Sequence, residues 1–153
     1  MMTPVAEPIT GREPLGTLAE PAQALAQFYR AFNDRDLGLM AANWDTTADV
    51  AMANPLGGIA RGWLEIGAVY ERIFKGRGRV RVEFHDYTIH RHGDVFHAVG
   101  RERGRLDAPG ATLDLAIRTS RVFRRVGGRW RQIHHHGSFD DAQLLEAYRR
   151  AVR

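Results

Sequence analysis

Three adjacent histidines, His134, His135 and His136, close the run RTSRVFRRVGGRWRQIHHHGS (residues 118–138), which also carries Arg121, Trp130 and Ser138. Gly127 and Gly128 suit a two-residue hairpin loop with positive φ, so the run reads as strands 112–126 and 129–139 folded back on each other. Pairing through that loop places Arg121 opposite His134 and Thr119 opposite His136. Regular alternation then puts Arg121, Trp130, Gln132, His134, His136 and Ser138 on one face. A guanidinium beside a partly buried imidazole opposes its protonation and leaves one ring nitrogen able to accept. His134 is accordingly the candidate catalytic residue, as a general base or a partner for a ligand carbonyl. The alternative is a hydrogen-bonded structural histidine that ties the sheet to the helices or to a second subunit. A bulge around His135 to Gly137 would change which histidine faces inward.

His134 and His136, two apart on a strand, could also ligate a metal, but a third ligand is needed and nothing in the spacing of His85, Asp86, His90, His92 and His97 converges on the pair. No metal and no cofactor is expected. Arg101 and Arg121, read as inward-facing, are costly to bury alone, so each needs a counter-ion. Parity places Glu102 on the face opposite Arg101, which leaves Asp114, Glu83 or the carboxylate of a bound ligand. Ser138 reads as a cap for the last helix, since no triad can be argued around it.

These side chains need a scaffold to hold them. Residues 1–16, rich in proline and without periodicity, read as a flexible leader, and 17–153 as a single domain. Thr17 and Glu20 form a capping-box pattern before a helix over about 18–34, with Leu25, Phe28, Tyr29 and Phe32 at helical spacing. Asp36 caps a second helix carrying Met40 and Trp44. A short strand, DVAMANPL (49–56), ends at Pro55 and the Gly57–Gly58 turn. Helical spacing returns from Trp63 to Phe74. Four long strands follow, with alternation slipping near His85 and Asp86, where a β-bulge is expected. A last helix runs over about 141–151. Helices followed by a curved antiparallel sheet make an α+β fold, a conical barrel with a central pocket. Phe28, Trp44 and Met52 are its expected walls.

At 153 residues and 44% apolar, the chain is long enough for a real core, and it has no cysteine for disulfide, thiolate or thiol chemistry. The formal charge of +4 comes from arginines spread over strands and helices, with Lys75 the only lysine. No nucleic-acid partner is expected from that dispersed pattern. No signal-peptide core and no apolar run of membrane-spanning length is present, so no membrane partner and a cytoplasmic location are expected.

The order of elements, together with SRVFRRVGGRWRQIHHHGS and NPLGGIARG, resembles the nuclear-transport-factor-2-like superfamily, over about residues 20–139. That superfamily includes ketosteroid isomerases, SnoaL-like polyketide cyclases and the association domain of calcium/calmodulin-dependent kinase II. Trp130, His134, His136 and Ser138 stand in register with the association-domain pattern. The resemblance implies a pocket lined by arginines, of which Arg101 and Arg121 match two, while the third falls at Gly137. The pocket histidine falls at Ile66 and the helix-2 tyrosine at Met40. Against the ketosteroid isomerases, the first-helix tyrosine position is Phe28 and the base position is Asn54, which can hydrogen-bond but cannot take a proton at neutral pH.

The resemblance implies a small-molecule pocket with Arg101, Arg121 and Asn54 as polar contacts. The ligand would carry a carboxylate or carbonyl, and a cofactor-free proton transfer such as isomerisation, cyclisation or dehydration is possible there. A homodimer is implied with it. Two other readings stand beside it. One is a non-catalytic association module whose outer sheet face bears a large apolar patch, and the other is a nucleic-acid binder.

Overall fold

A computed structural model describes residues 1–153. The first helix, α1 (Pro21–Asn33), begins about three residues later than the expected start near 18. Trp130 holds the preceding segment out of the helix: its backbone N–H donates to Leu18 O at 3.2 Å and its indole N–H to Ala19 O at 2.9 Å. Glu20 becomes the N-cap instead of Thr17, with its N–H bonded to the Gln23 side chain at 3.1 Å and Pro21 in the first turn, where a missing N–H costs nothing. Asp36 caps α2 (Leu37–Asn43) by accepting from Leu39 N–H at 2.9 Å.

β1 (Ala51–Asn54) folds back through a tight turn onto β2 (Gly58–Arg61), a strand the sequence pattern does not announce. α3 (Gly62–Lys75) follows, then the meander β3 (Arg79–His92), β4 (Val95–Ala108), β5 (Ala111–Val126) and β6 (Arg129–Phe139). α4 (Ala142–Ala151) is capped by Asp141, which accepts from Leu144 N–H at 2.7 Å. The expected cap, Ser138, is instead paired with Arg118 inside the sheet.

The six strands form one curved sheet in the order β2-β1-β6-β5-β4-β3. All neighbours are antiparallel except β1 and β6, which run parallel, so the sheet is mixed where an antiparallel one was expected. It remains open, a cone and not a closed barrel, with β2 and β3 at its edges. Phe28, Tyr29, Trp44, Phe84, Phe96 and Phe123 are fully buried between its concave face and the helices.

Two slips in register decide which side chains face inward. On β3 the shift lies between His85 and Thr88, with Asp86 at φ 51°, at the place where the alternation predicts a bulge. On β6 the residue opposite Val122 is His134 and the residue opposite Phe123 is Gln132, so Ile133 is the extra residue of a second bulge. Every position after it changes face.

The segment expected to be a loose leader is docked on β3. Val5 N–H bonds to Tyr87 O at 2.8 Å, and Ile9 and Phe84 exchange two backbone bonds of 3.0 and 2.9 Å. Ile9 is buried, and Arg30 Nε donates to Gly11 O at 2.8 Å. Pairing satisfies the edge of the bulged strand, which explains how so proline-rich a stretch finds a fixed place.

Candidate functional site

A cavity of about 60 Å³ lies between the concave sheet face and the helices, lined by 18 residues of which 13 are hydrophobic. α1 contributes Phe28 and Phe32, β1 Met52 and Asn54, α3 Val69, Tyr70 and Ile73, and α4 Tyr148. Its polar part comes from three neighbouring strands: Glu102 on β4, Arg121 on β5 and His135 on β6. Roughly 10–15 Å³ of such space suffices to admit a water, so the cavity has room for a few waters or a small organic group.

Arg121 is 1% exposed. Its guanidinium donates to Gln132 Oε1 at 2.8 Å, to the Tyr29 hydroxyl at 3.4 Å and to Glu102 Oε1 at 3.5 Å, and its carbon sits 3.4 Å from the centre of the Phe28 ring. Glu102 also accepts from the Thr119 hydroxyl. Gln132 continues the network to Asn43 at 3.0 Å, and Asn43 to Gln27 at 3.0 Å and to Ala24 O at 2.9 Å. The counter-ion of Arg121 is thus Glu102, and neither Asp114 nor Glu83 fills that role.

His135 is the inward histidine. A carbonyl can only accept, so the contact of 3.2 Å between Nδ1 and Ser120 O fixes the proton on Nδ1 and leaves the Nε2 lone pair free. Burial, reinforced by the Arg121 charge, holds its pKa well below the ordinary histidine value, and the ring is neutral at pH 7. A Cβ on Gly137 would lie 3.1 Å from His135 Nε2 and 3.0 Å from Pro55 Cγ. A side chain at position 137 would therefore crowd the His135 ring.

Tyr70, 3% exposed, has the donors Trp44 Nε1–H and Arg121 as its polar neighbours, none in full hydrogen-bond geometry, so its own O–H is left without a protein acceptor. Burial pushes the Tyr70 pKa up to about 12, so the phenol keeps its proton and can donate. A mostly apolar cavity thus holds a cation–carboxylate pair, a neutral imidazole with a free lone pair and a phenol whose O–H lacks an acceptor. Such a set can orient an oxygen-bearing molecule and exchange a proton with it.

The sequence-derived residues divide. Arg121, Phe28, Met52 and Asn54 line the cavity, although Asn54 Oδ1 is engaged with Leu56 N–H at 2.9 Å. Trp44 is fully buried beside Tyr70, with ring centres 6.4 Å apart, but is not part of the wall. His134 does not face Arg121: the bulge at Ile133 pairs Arg121 with His135 and turns His134 outward, where Nδ1 donates to Ala51 O at 2.8 Å across the β1–β6 junction. Arg101 also lies on the outer face, with Asp86 at 3.6 Å and Asp140 at 3.4 Å, because the alternation of Phe96, Ala98, Glu102 and Leu106 faces inward.

On the outer face His90, His92 and His97 stack with ring centres 4.6 and 5.5 Å apart, face to face and without converging on a point. No group of three His, Asp or Glu side chains has the arrangement of a metal site. Reading the sequence assigned no site role to Glu102, His135, Tyr70, Thr119 or Gln132, although it placed Gln132 on the face of Arg121 and left open a bulge that would change the inward histidine. For Glu102 the signal was available, since it shares parity with Phe96, Ala98 and Leu106.

Residues 22–142 match the family profile of the SnoaL-like domain. The chain belongs to that family. A structure from Thiobacillus denitrificans, provisionally assigned as a calcium/calmodulin-dependent protein kinase type II association domain, is 30% identical, with a TM-score of 0.65 over 84% of this chain and 100% of that one. A provisionally named dehydratase of the NTF2-like family from Streptomyces avermitilis aligns with a TM-score of 0.73 at 19% identity, over 82% of this chain and 96% of that one. An NTF2-like superfamily protein from Salmonella enterica gives 0.67 at 19% identity, over 78% and 87%. No functionally curated protein matches the chain. The SnoaL-like chain thus has the NTF2-like fold expected from its motifs. No helix is long and apolar enough to cross a membrane.

Proposed function

We propose that this SnoaL-like protein binds a small, largely apolar molecule carrying a carbonyl or related oxygen, and exchanges a proton with it without a cofactor. The observation that carries the reading is the Tyr70 O–H, a buried donor without a protein acceptor, in a mostly apolar cavity lined also by Arg121, Glu102 and His135. A buried donor without an acceptor costs roughly 1–3 kcal/mol, and a ligand oxygen would remove that cost. In this reading Tyr70 donates to the ligand oxygen while His135 Nε2 takes the proton from the adjacent carbon. The C–H electron pair becomes the enolate double bond, and the developing negative charge on oxygen is held by the phenol. Phe28 and Met52 pack the apolar body. The role given to His134 by its spacing passes to its neighbour.

The dehydratase name carried by one structural neighbour is compatible with such chemistry. The homodimer belongs to the same proposal, supported by the neighbour named as an association domain. Light scattering would then give twice the chain mass of 17.2 kDa. An association module without a working pocket is not favoured: the outer face of β5 and β6 exposes Arg118, Arg124 and His136 in place of the apolar patch that reading requires.

Deuterium exchange tests the chemistry. Cyclohexyl methyl ketone incubated with the protein in D2O should lose its α-proton signals faster than in buffer, and His135→Gln should abolish the acceleration while leaving binding in place. Exchange at the buffer rate with demonstrable binding would reduce the proposal to binding alone.

A further inference from the structure

Among the 18 residues lining the cavity, the ionisable pair Glu102 and Arg121 are its only formal charges at pH 7, since His135 is neutral. The two side chains are 8% and 2% exposed and 3.5 Å apart. Three of the five N–H donors of the guanidinium already have protein acceptors: Tyr29 on Nε, Gln132 on Nη1 and Glu102 on Nη2. The apolar underside is covered by Phe28 at 3.4 Å. Only two N–H groups of Arg121 are left for an entering anion, and an anion that reached them would lie close to the Glu102 carboxylate in a water-poor cavity. Like charges placed together there are strongly unfavourable.

We infer that Glu102 is the specificity-determining residue of this pocket: its carboxylate takes the place against Arg121 that a ligand's carboxylate would take, so the site selects uncharged oxygen-bearing ligands and rejects carboxylates. The inference rests on the cavity being a ligand site. Of the carboxylate or carbonyl expected from the sequence it keeps the carbonyl, because the counter-ion left open there between Asp114, Glu83 and a ligand carboxylate is Glu102. The Thr119 hydroxyl bonded to Glu102 keeps the carboxylate aimed at the guanidinium, as a positioning residue.

Two probes of matched shape separate the possibilities: cyclohexyl methyl ketone and cyclohexanecarboxylate differ in little but charge. Titration calorimetry at pH 7 with the intact protein should give the ketone an affinity roughly tenfold or more above that of the carboxylate. Glu102→Gln frees the Arg121 charge while keeping the side chain's size. It should raise carboxylate affinity relative to ketone affinity by about tenfold or more, both measured on the same variant. Carboxylate binding to the wild-type protein as tight as the ketone's overturns the inference, whether or not the variant folds. Unchanged selectivity in a folded Glu102→Gln protein overturns it as well. Binding of neither probe to the wild type refutes the ligand-site reading itself, and the inference falls with it.

Discussion

Replacing Arg121 by methionine should cost far more than removing the hydrogen bonds it makes, because it strands a buried carboxylate. Glu102 lies 3.5 Å from the guanidinium. At an effective dielectric constant of about 20, a pair at that separation attracts by about 5 kcal/mol. Thr119 still bonds the carboxylate after the substitution, and the cavity side admits some solvent, so a net loss of roughly 3–4 kcal/mol is expected. An independent argument sets the same ceiling: a stranded carboxylate can escape by taking a proton, which at pH 7 costs an ordinary carboxyl roughly 3–4 kcal/mol. Against a usual total of about 5–15 kcal/mol, the variant is severely weakened. Adding Glu102→Gln to Arg121→Met removes the stranded charge and should recover about 2 kcal/mol or more, since replacing both members of a buried pair is far cheaper than breaking it. Urea denaturation of the wild type, both single variants and the double variant gives the coupling directly. A loss below about 1 kcal/mol for Arg121→Met, or a double variant no more stable than that single one, would refute the buried-pair account.

Other consequences can be measured on the same protein. Tyr70→Phe removes a buried O–H that has no protein acceptor, so stability should rise by about 1 kcal/mol or more while ketone affinity falls by about tenfold. Because burial and then Arg121 hold the His135 pKa below its ordinary 6.5, the unfolded chain binds a proton in that window that the folded chain does not. Stability is then complete above about pH 6.5 and falls as the pH drops below it, by up to about 1.4 kcal/mol per pH unit; His135→Gln should flatten that slope in denaturation curves taken from pH 7.5 to 5. His97, also held low by burial and then by His90 and His92, adds a slope of the same sign that survives in the variant. Gly104→Ala would place a methyl 1.9 Å from the backbone oxygen of Arg81 and should lower stability by roughly 1–3 kcal/mol or more, seen as a lower Tm.

Much of the fold could be read from residue types. Gly127 and Gly128, at φ 57° and 78°, fixed the β5–β6 hairpin, and the parity change between Phe84 and Tyr87 located the bulge in β3. The same parity test applied to β6 would have found the second bulge: Trp130 and Phe139 are both buried yet nine positions apart, which regular alternation does not allow. Without that slip, the histidine beside Arg121 was misnamed by one residue. β2 left no comparable signal, since only Ala60 of its four residues is buried. Arg101 and Glu102 exchanged faces because charge drew attention to the arginine, while the apolar neighbours that set parity favoured the glutamate. Tyr70 looks like one more residue on an apolar helix stripe, and only the packed structure shows its O–H without an acceptor.

The most direct test of the pocket is an NMR titration of labelled protein with cyclohexyl methyl ketone, following the imidazole nitrogens, the Arg121 Nε–H and the Tyr70 ring. Signals of His135, Arg121 and Tyr70 should move together and saturate at one ligand per chain, while those of His134 and Arg101, on the outer face, stay in place. Shifts confined to His134 and Arg101, with the Tyr70 and His135 signals unmoved at saturation, would contradict it.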